Sequence, residues 1–155
     1  MRSALQAELK QTCPFPSAET EAMLSIARTA ALLDHALAQA VKPASITPTQ
    51  YNVLRILRGA GADGLCRSAI GARMVTSVPD VTRLLDRMEA AGLIRRSRGT
   101  DDRRFVTTVI TSDRLRLLET LDAPVEALNR RQLSHLGRPA LRVLIDTLAL
   151  ARARA

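Results

Sequence analysis

The residues able to do chemistry gather between Ser77 and Ile110, in SVPDVTRLLDRMEAAGLIRRSRGTDDRRFVTTVI. Val81, Leu84, Leu85 and Met88 recur at three- and four-residue spacing and form one apolar stripe. Ser77, Asp80, Thr82, Arg83 and Arg87 lie off that stripe as an exposed set of hydroxyl, carboxylate and guanidinium groups, with Pro79 among them. Arg98, Arg103 and Arg104 crowd the charged loop RGTDDRR a little further on. Guanidinium forks match phosphate oxygens and the acceptor edge of guanine, so this set suits a nucleic acid. Asp102, two residues from Arg104, fits better as a brace for that arginine than as a group facing phosphate. The plainer reading of Arg83 and Arg87 is a solvated helix face paired at i,i+3 and i,i+4 with Asp80 and Asp86.

Several local signals fix the elements that hold these groups. Ser77 as a cap, Pro79 in the first turn and Asp80 three residues after the cap predict a helix starting at Ser77. Gly92 is a good residue to end it. Short strands follow at Leu93–Ser97 and Phe105–Ile110, the second rich in Val, Thr and Ile. Upstream, Ser68 can cap a short helix, SAIGARM, joined by VTS to the helix at Ser77, with Gly71 letting the two backbones approach. A basic helix entering a basic-tipped hairpin is the layout of a winged helix-turn-helix. In that layout the second helix of the pair enters the major groove and presents its N-terminal residues to base edges. The wing arginines Arg98, Arg103 and Arg104 then reach the neighbouring minor groove or its phosphates.

The flanks are helical as well. Residues 1–16 form a flexible arm, since the two prolines of CPFP oppose regular structure. Ser17, Glu19 and Glu21 open a long helix to Val41, with Met23, Ile26, Ala27, Ala30, Leu33 and Leu37 on one face and Leu24, Ala31 and Ala38 widening it. Thr47, Pro48 and Gln50 start another, carrying Tyr51, Leu54 and Leu57 to Gly59. After the hairpin, Thr111–Asp113 cap a helix through Leu115, Leu118 and Leu121 that Pro124 should kink or restart. A last helix begins near Pro139 with Leu141, Leu144, Ile145 and Leu148 at i, i+3, i+4 and i+7. The fold is therefore mainly α: one domain over 17–155, with a lobe at about 47–111 and outer helices at about 17–41 and 112–153 whose apolar faces are too wide for one subunit to cover.

Composition narrows the function. The 155 residues carry a net charge of +8, with 46% hydrophobic and only 2% aromatic residues. Nine arginines against five acidic residues put +4 of that charge between 67 and 104. Such a balance favours a polyanionic partner. Neither a membrane span nor a signal peptide is visible, and two cysteines make no disulfide framework, so the cytoplasm is expected. HExxH, GxSxG, CxxC and Gly-rich phosphate loops are missing, which argues against an enzyme, a cofactor or a metal centre. His35 reads as a buried or interface polar residue, and Cys66 as a small core residue beside the hairpin.

These residues together resemble the MarR family of transcription regulators. The resemblance rests on TPTQYNVLRILRGAG at 47–61, IGARM at 70–74, VTRLLDRMEAAGLIRR at 81–96 and DDRR at 101–104. Asp102 and Arg104 match the family's Asp-x-Arg before the second strand, and Asp80 with Val81-Thr82-Arg83 matches its recognition-helix signature. Ile110-Thr111-Ser112-Asp113 departs from the usual Leu-Thr-x-x-Gly. The resemblance implies a homodimer joined by its first and last helices, double-stranded DNA with a palindromic operator as partner, and repression released by an effector. The effector would be a small aromatic or phenolic compound, for which His35, Tyr51 and Arg55 could line a pocket. Two alternatives stand beside this: a redox-responsive repressor using Cys13, and a winged-helix protein-interaction module without DNA binding.

Overall fold

The computed structural model describes residues 2–98 and 106–153. Its elements run α1 (Ala4–Glu8), α2 (Ala18–Val41), α3 (Pro48–Ala60), α4 (Arg67–Arg73), α5 (Val81–Ala90), β1 (Ile94–Arg98), β2 (Val106–Ile110), α6 (Ser112–Leu133) and α7 (Gly137–Arg152). This is the mainly helical winged helix-turn-helix with a short hairpin.

Two start signals work as expected. Ser17 accepts the Thr20 N–H at the head of α2, and Thr47 and Gln50 form a reciprocal capping box on α3. The arm is not wholly irregular: Ser3 and Gln6 make a second capping box, and the Gln6 amide donates to the Cys13 carbonyl at 2.9 Å. Two capped donors and buried Leu5 hold one helical turn ahead of the prolines.

Two expected caps move, and a third makes no capping bond. α5 starts at Val81, not Ser77, because Asp80 is its cap and accepts the Arg83 N–H at 2.8 Å. Pro79 drives Val78 away from helical geometry, so no helix forms ahead of it. The α4 cap lies two residues early, at Cys66, and Ser68 falls inside the first turn. Thr111 precedes α6 without a side-chain capping bond; its hydroxyl instead donates to the Gly92 carbonyl at 3.2 Å.

Pro124 does not break α6, which runs through it. Leu118, Leu121, Val125 and Leu128 are buried on both sides of the proline, and that continuous burial outweighs one missing backbone bond. The core that Leu118, Leu121 and Val125 join is aliphatic, formed by Leu54, Leu57, Ile70, Leu85 and Met88 around the single tyrosine, Tyr51.

The hairpin pairs Ile94 with Ile110 through Arg98 with Val106. A third strand position reinforces it: Leu65 and Thr108 exchange both backbone hydrogen bonds, at 3.0 and 2.8 Å. Gly64 permits this approach. Its φ is +64°, and a Cβ there would stand 2.4 Å from the Thr108 carbonyl oxygen.

Candidate nucleic-acid interface

α5 is held on its apolar side and free on the other. Leu84, Leu85 and Met88 are buried and Val81 half-buried, as its spacing requires, while Thr82, Arg83 and Arg87 are exposed. Its C-terminal end is closed by a Schellman motif: the Leu93 N–H donates to the Met88 carbonyl and the Gly92 N–H to the Glu89 carbonyl, both at 2.9 Å, with Gly92 at φ +66°. β1 therefore leaves the helix at a defined angle.

Four side-chain contacts invisible in the sequence orient this helix and its neighbours. Arg67 of α4 donates to the Thr82 hydroxyl at 2.8 Å. Asn52 of α3 accepts the Val75 N–H at 3.0 Å and pins the link between α4 and α5. From β1, Arg96 reaches Asp86 at 2.7 Å and Glu89 at 2.6 Å, and its backbone N–H donates to the Glu89 carboxylate at 2.9 Å. Arg96 hydrogen bonding lowers the Glu89 carboxyl below its ordinary range. Finally, Arg58 of α3 donates both Nη groups to Asp122 of α6, at 2.8 and 2.9 Å. The expected pairing of Asp86 with the arginines of its own helix is thus replaced by a pair with Arg96. Among the described residues, neither Arg83 nor Arg87 has a carboxylate partner; the Arg87 Nε donates to the Arg83 carbonyl at 3.3 Å.

Of the remaining candidates, Ser77 and Pro79 are exposed in the link before α5. Asp102, Arg103 and Arg104 lie outside the described residues, as does the side chain of Arg98. Tyr51 and Arg55 meet, with the guanidinium carbon 5.9 Å from the ring centroid, and both line a cleft of about 180 Å³ with Asp34, Leu37, Asn52 and Val75. His35 does not line that cleft and is exposed, because it points away from the α3 side on which its neighbour Asp34 lies.

Cys13 is exposed. So is Cys66, contrary to its expected place in the core: Leu65 turns inward to meet β2, which leaves Cys66 on the outside at the head of α4. The Ser68 hydroxyl and the Ala69 N–H lower its thiol pKa.

Comparison with known proteins decides what the arrangement is. A family model described as MarR family matches residues 46–106. A MarR transcription factor from Planctomyces limnophilus is 34% identical, over 88% of this chain and 99% of its own, with a TM-score of 0.65. The chain belongs to the MarR family. This MarR-family regulator also shares its fold with more distant relatives. AbsC, a MarR family regulator from Streptomyces coelicolor, is 23% identical over 92% of this chain and 97% of its own, TM-score 0.77. MepR of S. aureus, solved as a DNA complex, is 20% identical over 92% and 100%, TM-score 0.76. No curated protein matches the chain. Like its family, it is a DNA-binding transcription regulator. Among the described residues, no helix is long and apolar enough to cross a membrane.

Proposed function

We propose that this MarR-family regulator is a cytoplasmic repressor that binds a near-palindromic operator as a homodimer and is released by a small aromatic or phenolic effector. One observation carries the DNA-reading part. The exposed face of α5 offers Thr82 and Arg83 in its first turn and Arg87 one turn on, none with a carboxylate partner among the described residues, beside exposed Arg67 and Arg73. In this reading α5 enters the major groove with Arg83 bidentate on guanine, Ser77, Pro79, Asp80 and Thr82 bordering it, and Arg98, Arg103 and Arg104 at the minor-groove side. In the same reading Asp102 would brace Arg104. MepR, which shares the fold, was solved as a DNA complex, and that supports DNA as the partner.

Dimerisation is supported by uncovered apolar surface on the outer helices. Met23 is 69% exposed, Ile145 56% and Leu150 74%, and no residue of α7 is buried in the single chain. The effector would occupy the cleft at Tyr51 and Arg55, which continues into a larger one of about 540 Å³ between α2 and α6.

Competition titration of Arg83→Ala tests the assignment. Loss of about 1–3 kcal/mol on the operator with little change on random duplex is expected. Arg104→Ala should weaken both DNAs alike. An Arg83→Ala variant that holds operator as tightly as the parent would remove Arg83 from the reading set.

A further inference from the structure

The recognition helix carries the wrong net charge for its partner. From Asp80 to Ala90 there are three carboxylates, Asp80, Asp86 and Glu89, against two guanidiniums, Arg83 and Arg87. A segment with that balance, laid into a groove lined by phosphates, meets repulsion as well as attraction. Asp80 spends its carboxylate on the helix cap. The other two are exposed enough to act on DNA, and Asp86 stands one turn beyond Arg83, within reach of the outward side.

We infer that Arg96 is a positioning residue for DNA binding that, by drawing Asp86 and Glu89 onto one guanidinium, shields the phosphates from both carboxylates and leaves Arg83 and Arg87 to face the groove. The geometry is specific. Arg96 Nη2 lies 2.7 Å from Asp86 Oδ1 and 2.6 Å from Glu89 Oε2, while Nε donates to Glu89 Oε2 at 2.8 Å. The backbone N–H of Arg96 holds the other Glu89 oxygen. The Arg96 side chain is only 25% exposed, so it serves the acids and not the solvent. Its place on β1 matters too: the cation comes from the hairpin, so α5 is cleared of free acid only when the hairpin is seated against it. The inference rests on the DNA-binding reading above.

Neutralisation of the acids separates shielding from mere support. Each variant is titrated against a labelled random-sequence duplex at fixed low salt, with its thermal melt recorded. Arg96→Gln should bind on the order of tenfold more weakly, since two carboxylates are uncovered beside phosphates. Adding Asp86→Asn and Glu89→Gln should recover most of that affinity, although the melting temperature, which reflects the lost ion pairs, stays low. A folded triple variant as weak as Arg96→Gln would overturn the inference, because Arg96 would then act through hairpin position alone. Should Arg96→Gln fail to fold, Asp86→Asn/Glu89→Gln with Arg96 intact decides: binding at least as tight as the parent supports shielding, and tenfold weaker binding rejects it. If the parent itself binds no duplex, the DNA-binding reading falls and takes the inference with it.

Discussion

Removing the Asp80 carboxylate leaves the Arg83 N–H at the head of α5 without its acceptor. Asp80→Ala should therefore cost about 1 kcal/mol of unfolding free energy, and Asp80→Ser or Asp80→Asn much less, as read by urea denaturation. A silent Asp80→Ala would mean that another group caps the helix. From the sequence, Ser77 is the expected cap and Asp80 belongs to the first turn, and that expectation fails at Pro79: the residue before a proline avoids helical geometry, so the helix waits until Pro79 is passed. Cys66 was misread for a related reason. Its small apolar side chain suits a core, yet burial at that point is decided by Leu65, whose strand pairing with Thr108 is a long-range contact that no local pattern announces. Arg83, Arg87 and Thr82 were legible as exposed because helical period alone settles which side a residue takes.

Two predictions belong to α6. Pro124 supplies no N–H to the carbonyl of Thr120 one turn earlier, but buried Leu121 and Val125 keep the helix continuous. Pro124→Ala should restore that bond and raise stability by about 1–2 kcal/mol, the helix gain being partly offset by a freer unfolded chain. A lower melting temperature would show that the ring is itself needed for packing. The second concerns the Arg58–Asp122 pair joining α3 to α6. Arg58 hydrogen bonding holds the Asp122 carboxyl below its ordinary value. A carboxyl depressed on folding adds stability that is fully present above its unfolded pKa, near 4, and lost as pH falls through the lower folded value. With both side chains partly in solvent, the contribution should be about 0.5–1 kcal/mol. Asp122→Asn should abolish that part of the acid limb while leaving the profile above pH ~5 parallel to the parent. Neither tie was legible in the sequence, since Arg58 and Asp122 are sixty-four positions apart and look like ordinary surface charges.

At the scale of the whole molecule, the order of elements from α2 to α7 and the core side of α3 and α5 were readable because caps, periodicity and glycine stops are local, while α1 was not. The outer helices were readable in a different sense: α2 and α7, too apolar for one chain, keep Met23, Ile145 and Leu150 uncovered in the single chain. Sedimentation at micromolar concentration should find a dimer, with operator half-site centres about 34–36 Å apart; a folded monomer would refute the two-fold arrangement. With six or more phosphates neutralised per dimer, DNA affinity should fall on the order of a thousandfold between about 50 and 200 mM salt, and a flat response would favour the protein-interaction alternative. The root of the hairpin carries one more consequence. Thr108 is fully buried, and its N–H is held by the Leu65 carbonyl across the gap that Gly64 keeps open. That amide can meet water only when the lobe itself opens. In hydrogen–deuterium exchange Thr108 should rank among the slowest protons of the protein, vanishing at the rate of global unfolding, whereas the Val106 amide near the open end of the strand exchanges through small local fluctuations. Gly64→Ala should erase the difference, turning the slowest clock in the hairpin into one of its faster ones.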